Sequence, residues 1–119
     1  RCLEYLCYIH RHTYASGSRS IPNEPRDASA AAVMACAMYE LSMYNTEKSA
    51  QYKKWADTIV ESLSKNYRAQ LEGDRGFLLL HSTGAHNFER DVPLVYADYY
   101  FLEALLKKAK LEKEGTAIL

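Results

Sequence analysis

The sequence predicts an all-α protein whose helices alternate between an inner and an outer layer, as in a helical barrel or toroid. Three segments carry that prediction. Residues 94–106 hold only two charges, Asp98 and Glu103, so their apolar surface wraps well beyond the single stripe of an ordinary surface helix. Residues 28–44 present small side chains (Ala28, Ala30, Ala31, Ala32, Ala35, Cys36, Ala37) on nearly every face. Between them, residues 46–71 show one apolar stripe, Tyr52, Trp55, Ala56, Ile59, Val60 and Leu63, opposite Lys53, Lys54, Asp57, Glu61 and Lys65. Two helices that need neighbours on several sides, separated by one half-wet helix, read as inner, outer, inner. A free-standing four-helix bundle matches the lengths, but each of its helices should show one stripe, and two here do not. No self-similarity defines a repeat.

Taken in order, Leu3, Leu6, Cys7 and Ile9 form a weak helical pattern over residues 3–12, the tail of a helix, ended by Tyr14-Ala15-Ser16-Gly17-Ser18. Residues 15–26 are a loop in which Pro22 and Pro25 exclude regular structure. Arg26-Asp27 leads into the second helix, Ala28 to about Tyr44, where small residues allow close backbone approach and Met34, Met38 and Leu41 supply the larger contacts. The third helix spans about Thr46 to Leu71, with Asn45 or Thr46 as N-cap and Gly73 past its end. Gly76-Phe77-Leu78-Leu79-Leu80 is short, apolar and bounded by turn residues, hence an extended segment or buried turn. After a polar loop, Asp91 is expected to cap the last helix and Pro93 to occupy its first turn, where an N–H lacks an intrahelical partner anyway. Lys107, Lys108 and Lys110 should complement the negative end of its dipole, and Gly115 offers the stop.

At 119 residues, 48% hydrophobic and 25% charged, the chain suffices for one core but not comfortably for two. Fifteen basic residues balance fifteen acidic ones, so no global field draws it to nucleic acid or an anionic membrane. No apolar run approaches the roughly 20 residues that cross a bilayer. The chain reads as soluble, with cytoplasm and periplasm undecided. It opens on Arg1 rather than methionine, which suggests a fragment or processed product. Cys2, Cys7 and Cys36 have no Cys-x-x-Cys spacing and read as buried free thiols. His10 and His12 fall on different helical faces and His81 and His86 in a loop, so no metal site is expected.

Three stretches, Ile21-Pro22-Asn23-Glu24-Pro25-Arg26-Asp27-Ala28-Ser29-Ala30-Ala31-Ala32, Gly76-Phe77-Leu78-Leu79-Leu80-His81-Ser82-Thr83-Gly84 and Asp91-Val92-Pro93-Leu94-Val95-Tyr96-Ala97-Asp98-Tyr99-Tyr100-Phe101-Leu102-Glu103-Ala104-Leu105, together resemble the C-terminal part of family 88 glycoside hydrolases, the unsaturated glucuronyl hydrolases. Order and spacing match across roughly residues 21–110. The resemblance implies a six-hairpin (α/α)6 barrel, of which residues 1–119 supply about the last third as a single partial domain. It implies a substrate too: a glycosaminoglycan oligosaccharide ending in the 4,5-unsaturated uronic acid that polysaccharide lyases leave. In the reaction the resemblance implies, an aspartic acid protonates the double bond at C4 while water adds at C5, and the hemiketal opens to release the next sugar, so carboxylate spacing does not report the stereochemistry. No cofactor is implied. The family's catalytic aspartates lie in earlier hairpins and nothing here matches their motifs. The isolated chain should therefore be inactive, with no catalytic residue of its own, and its implied partners are the oligosaccharide and the missing N-terminal part of the barrel. The family's pocket tryptophans do not appear either, and Trp55 on the outer helix reads as a packing residue. Residues 8–20 depart from the aromatic and acidic stretch of relatives.

In such a barrel the starts of the inner helices point at the cleft, which places Arg26, Asp27 and Ser29, and the loop from His81 to Asp91, near the sugar. Helix N-termini suit an anion. The candidate substrate-binding residues are Arg26, Asp27, Ser82, His86 and Arg90. Plain N-capping, worth about 0.5–2 kcal/mol against alanine, outweighs a substrate role for Asp27. Arg26 pairs either with a uronate or with Glu24 or another upstream carboxylate. Some relatives recognise sulfate through a serine-and-lysine loop before the last inner helix. Here Ser82-Thr83-Gly84-Ala85-His86-Asn87-Phe88-Glu89-Arg90 has hydroxyls and a cation but not that spacing, which leaves sulfate preference open. Asp98 is expected to be paired structurally, since an unpaired buried carboxylate is costly. Two competing functions are a non-catalytic carbohydrate-binding remnant and a helical interaction module that uses exposed apolar faces.

Overall fold

The computed structural model describes residues 26–44, 47–84 and 89–117, without side-chain detail at Asp74, Thr116 and Ala117. The expected N-terminal helix tail, the loop before Arg26, the Asn45 or Thr46 cap, Glu24 and His86 lie outside the described residues. Three α-helices follow one another: α1 (Ala28–Tyr44), α2 (Ser49–Asn66) and α3 (Val95–Ala117), with a 3-10 turn at Asp74–Gly76. Helix α1 packs against both α2 and α3, which scarcely meet each other.

The alanines decide that central position. Ala28, Ala31, Ala32, Ala35, Cys36 and Tyr39 are buried, and they share one core cluster with Ala56, Ile59, Val60 and Leu63 of α2 and Ala97, Phe101 and Ala104 of α3. The short side chains let two helices pack against α1, and the largest fully buried side chains of the three helices are Tyr39, Phe101 and Leu63. Cys36 is a buried free thiol. Of the predicted stripe, helix α2 buries Ala56, Ile59, Val60 and Leu63, while Tyr52 and Trp55 are half-buried and meet edge to face at 5.9 Å.

Inner helices need neighbours on several sides, and here each of them has one bare side. Val33, Ala37, Leu41 and Tyr44 expose a stripe of α1, and Val95, Tyr99, Leu102 and Leu106 expose one of α3. Both stripes follow helical spacing.

The ends of α2 and α3 are where the expectations fail. Helix α2 stops at Asn66, because the backbone beyond it pairs elsewhere: Ala69 N–H donates to Leu78 O (2.9 Å) and Leu80 N–H to Tyr67 O (2.8 Å), an antiparallel bridge centred on Arg68 and Leu79. The extended segment expected at residues 76–80 thus competes for the peptide groups that a longer helix would have used. Gly73 sits in the connecting turn, donating to Gln70 O. At its start, Lys48 occupies the N-cap position, and its side chain does not cap the helix.

Asp91 does not cap α3. It lies four residues ahead of Val95, with φ 55, and its carboxylate is committed elsewhere. Leu94 begins the helix through its carbonyl, which accepts from Ala97 and Asp98, and Pro93 precedes the first helical residue. Nor does Gly115 end the helix, which runs to Ala117; nothing lies within 4 Å of where a Gly115 side chain would project, so nothing forces the chain to turn there. The lysines expected at the C-terminal dipole are consequently two turns inside. Lys107 bridges Glu40 (3.0 Å) and Glu103 (3.3 Å), while Lys108 bridges Asp57 (2.9 Å) and Glu112 (2.7 Å).

Candidate functional site

The starts of α1 and α3 are drawn together by the segment His81–Gly84, which runs between them. On one side, Ala28 N–H donates to His81 O (3.0 Å) and Thr83 Oγ1 donates to Arg26 O (2.8 Å). On the other, Ser82 and Val92 exchange both backbone hydrogen bonds (2.8 and 2.9 Å), and Gly84 N–H donates to Glu89 O (2.9 Å). From behind, Asp98 on the first turns of α3 accepts Leu78 N–H (2.9 Å) and Leu79 N–H (3.0 Å), so both its oxygens are paired structurally.

Asp27 is the N-cap of α1. Its Oδ1 accepts from Ser29 N–H (3.0 Å), Ala30 N–H (3.3 Å), Ser29 Oγ (2.5 Å) and, across the loop, Thr83 N–H (3.3 Å). The side chain thus satisfies the orphan donors of the first turn and also ties the loop to it. Because His81 O takes the remaining Ala28 N–H, the first three N–H groups of α1 are already occupied. The positive charge this end offers an anion is therefore that of Arg26.

Arg26 stands in a cluster. Its Nη2 lies 2.6 Å from His81 Nδ1 and 3.7 Å from Asp91 Oδ1, and the guanidinium is 5.6 Å above the Tyr67 ring. His81 Nδ1 is also 2.7 Å from Asp91 Oδ1, and its ring meets Tyr67 edge to face at 5.9 Å. His81 and Asp91 both have left-handed backbones, φ 64 and 55, conformations costly for residues with a side chain and held here by the surrounding pairings. Of the other predicted residues, Ser82 is completely buried and its hydroxyl has no partner among the described residues, while Arg90 is exposed beside Asp91 and outside the cluster. Among the described residues no group of three or more His, Cys, Asp or Glu could hold a metal ion.

Sequence reasoning missed His81, Asp91 and Tyr67 as one constellation. Tyr67 was expected inside a helix, and Asp91 on the α3 start. The available signal was the placement of a histidine directly after the apolar Leu78-Leu79-Leu80, where a short pinned segment fixes its direction.

A second group of charges lies farther along α1. Asp57 accepts from the buried Tyr39 hydroxyl (2.6 Å), Lys53 (2.8 Å) and Lys108 (2.9 Å), linking all three helices. Burial raises the Asp57 carboxyl, but the hydrogen bonds from Lys53, Tyr39 and Lys108 outweigh it and hold the group below its usual value. Burial, then Asp57, pushes the Tyr39 phenol far above the tyrosine range, so it remains a donor. The Cys36 thiol, 3.3 Å from Lys107 Nζ, is likewise raised by burial against the pull of that ammonium. These pairs serve packing and lie away from the Arg26 cluster.

No family model matches the chain. An unsaturated glucuronyl hydrolase from Formosa agariphila is 44% identical over 94 residues, which cover 76% of this chain and 23% of that protein. A solved unsaturated glucuronyl hydrolase specific for heparin is 43% identical, with a TM-score of 0.77 over 82% of this chain and 27% of that one. The Streptococcus agalactiae enzyme, solved with dGlcA-GalNAc6S, is 30% identical with a TM-score of 0.68 over 74% of this chain and 25% of that one. The chain spans about a quarter of the length of the curated relatives it matches. The matched structures are (α/α)6 barrels, and the three helices here form one part of that ring. Through that likeness, which extends over about three quarters of its residues, the chain belongs to the unsaturated glucuronyl hydrolases of glycoside hydrolase family 88 and corresponds to their C-terminal part.

Proposed function

We propose that this chain acts as the C-terminal portion, one partial domain over residues 1–119, of a hydrolase that removes the 4,5-unsaturated uronic acid from lyase-derived glycosaminoglycan oligosaccharides by hydrating the double bond. On this reading the acid that protonates C4 comes from the remainder of the barrel. This chain contributes Arg26 as a cation facing the anionic sugar, with Asp27 fixing the helix start behind it. Arg90 and His86 supply the outer loop contacts. Ser82, buried and backbone-paired, shapes the loop.

The observation that carries the reading is the pair of bare apolar stripes on α1 and α3 in a chain that spans about a quarter of its relatives. Exposed apolar area of this kind marks a surface built to be covered. The partner it fits is the rest of the same barrel. Among the described residues no helix is long and apolar enough to cross a membrane, and the balanced charge creates no global field that draws the chain to nucleic acid.

The test follows the ultraviolet absorbance of the double bond in an unsaturated disaccharide. Alone, the chain is expected to leave it unchanged. Mixed with a relative's N-terminal portion that lacks its own C-terminal quarter, it restores turnover, and an Arg26→Ala chain restores it with a raised KM. Turnover by the isolated chain overturns the reading, and tight disaccharide binding without any restoration favours a carbohydrate-binding remnant instead.

A further inference from the structure

His81 Nδ1 is contested by two groups that no single proton pattern satisfies. It lies 2.6 Å from Arg26 Nη2 and 2.7 Å from Asp91 Oδ1. A guanidinium nitrogen only donates and an ionised carboxylate oxygen only accepts. Nδ1 therefore bonds the arginine when bare and the aspartate when it carries a proton, never both. Arg26 and Asp91 do not relieve the conflict directly, since 3.7 Å between them is beyond a hydrogen bond.

The backbone keeps the three groups from drifting apart. His81 O is tied to the first N–H of α1, and the residues that follow His81 and Asp91, Ser82 and Val92, hold each other through two backbone bonds. The Tyr67 ring backs both the imidazole and the guanidinium. Among the described residues, the charged and titratable groups facing the imidazole are Arg26 from the approach to α1, Tyr67 from the end of α2 and Asp91 from the approach to α3. All three cluster members reach solvent, with side-chain exposures of 38% for Arg26, 29% for His81 and 53% for Asp91.

We propose that the proton on His81 Nδ1 is a latch on Arg26: with Nδ1 bare the ring holds the guanidinium, and with Nδ1 protonated it bonds Asp91 and frees Arg26 for the carboxylate of an anionic sugar. An imidazolium carries protons on both nitrogens, so acid always selects the released state. His81 is a positioning residue acting through Arg26. Anion binding at Arg26 strengthens as the ring takes up its proton. The consequence for binding rests on the sugar-facing role proposed for Arg26, whereas the switch itself does not.

The test labels the histidine and arginine nitrogens of the 119-residue chain with ¹⁵N and reads them by NMR. Arg26→Ala should drive the neutral His81 ring to its Nδ1–H form and Asp91→Ala to its Nε2–H form. In the wild-type chain, which requires no variant to fold, the Arg26 guanidinium signals should shift in step with the ring as pH falls. The same tautomer in both variants, or Arg26 signals indifferent to the ring, overturns the latch. With glucuronate as the probe, affinity should tighten several-fold on acidification, and His81→Asn, which tolerates the left-handed backbone, should abolish that dependence. Persistence of the dependence in His81→Asn also overturns it. If the tautomers swap as expected while glucuronate binds at no pH, the latch stands and the sugar-facing role of Arg26 fails.

Discussion

Replacing Asp98 by asparagine tests whether the site loop is held from behind by a charge. Both carboxylate oxygens accept backbone N–H groups, from Leu78 at 2.9 Å and Leu79 at 3.0 Å. Asparagine keeps one oxygen for one of them and turns an amide N–H₂ toward the other, so one bond is lost and a donor faces a donor. Leu79 is fully buried and its freed N–H has no route to water. A hydrogen bond to a charged group contributes about 1.5–3 kcal/mol and an orphaned buried donor costs about 1–3 kcal/mol, which places Asp98→Asn at about 2–4 kcal/mol. Asp98→Ala strands both donors and should cost more, a large share of the roughly 5–15 kcal/mol that holds a domain folded. Urea unfolding followed by circular dichroism gives the energy, and amide hydrogen exchange at Leu78 and Leu79 gives its location. An asparagine variant within about 0.5 kcal/mol of wild type, with both amides still protected, would refute the reasoning. Glu103→Gln serves as the control, because Glu103 pairs with the partly exposed Lys107 across one turn, a contact worth about 0.3–0.5 kcal/mol.

Three other outcomes follow from the same contacts. The Asp57 carboxyl is held below its ordinary 3.8 in the folded chain, so its contribution is fully present above that value and is lost as pH falls through the lower folded one; the stability difference between wild type and Asp57→Asn should shrink in acid below about pH 4, and a pH-independent difference would contradict the assignment. Gly84→Ala would drive its Cβ into Glu89 Oε2, to 3.0 Å from the Tyr96 hydroxyl and to 3.2 Å from Leu94 Cδ1. All three obstacles are side-chain ends that can yield, so the loss should stay at about 1 kcal/mol and show as a lowered Tm. Ser82→Ala removes a buried hydroxyl with no partner among the described residues, so stability should hold or rise by up to about 1 kcal/mol, and a loss above about 1 kcal/mol in the melt would reveal a partner for that oxygen.

The sequence by itself determined the helices and their layers. Ala28–Tyr44 forms over the residues expected, the stripe of Ala56, Ile59, Val60 and Leu63 is buried as periodicity requires, and Asp27, with Ser29 and Ala30 placed to receive it, caps the first helix. Asp98 was legible as a structural carboxylate, because a charge within an otherwise apolar stretch must find donors. These features are local: spacing of three and four residues, a cap within one turn, the cost of an unpaired charge.

Tertiary structure decided where the helices stop and which side chains meet. Residues 67–71 have the composition to continue α2, yet the peptide groups of Tyr67 and Ala69 pair with Leu80 and Leu78, a competitor invisible to helical propensity. Gly115 reads as a stop, but a glycine ends a helix only where the chain must turn, and nothing packs there. The Arg26, His81 and Asp91 cluster joins residues 55 positions apart in sequence with others 10 apart. It exists because two bridged backbone segments fix the directions of side chains whose own sequence neighbourhoods do not, and direction across such distances is a property of packing rather than of pattern.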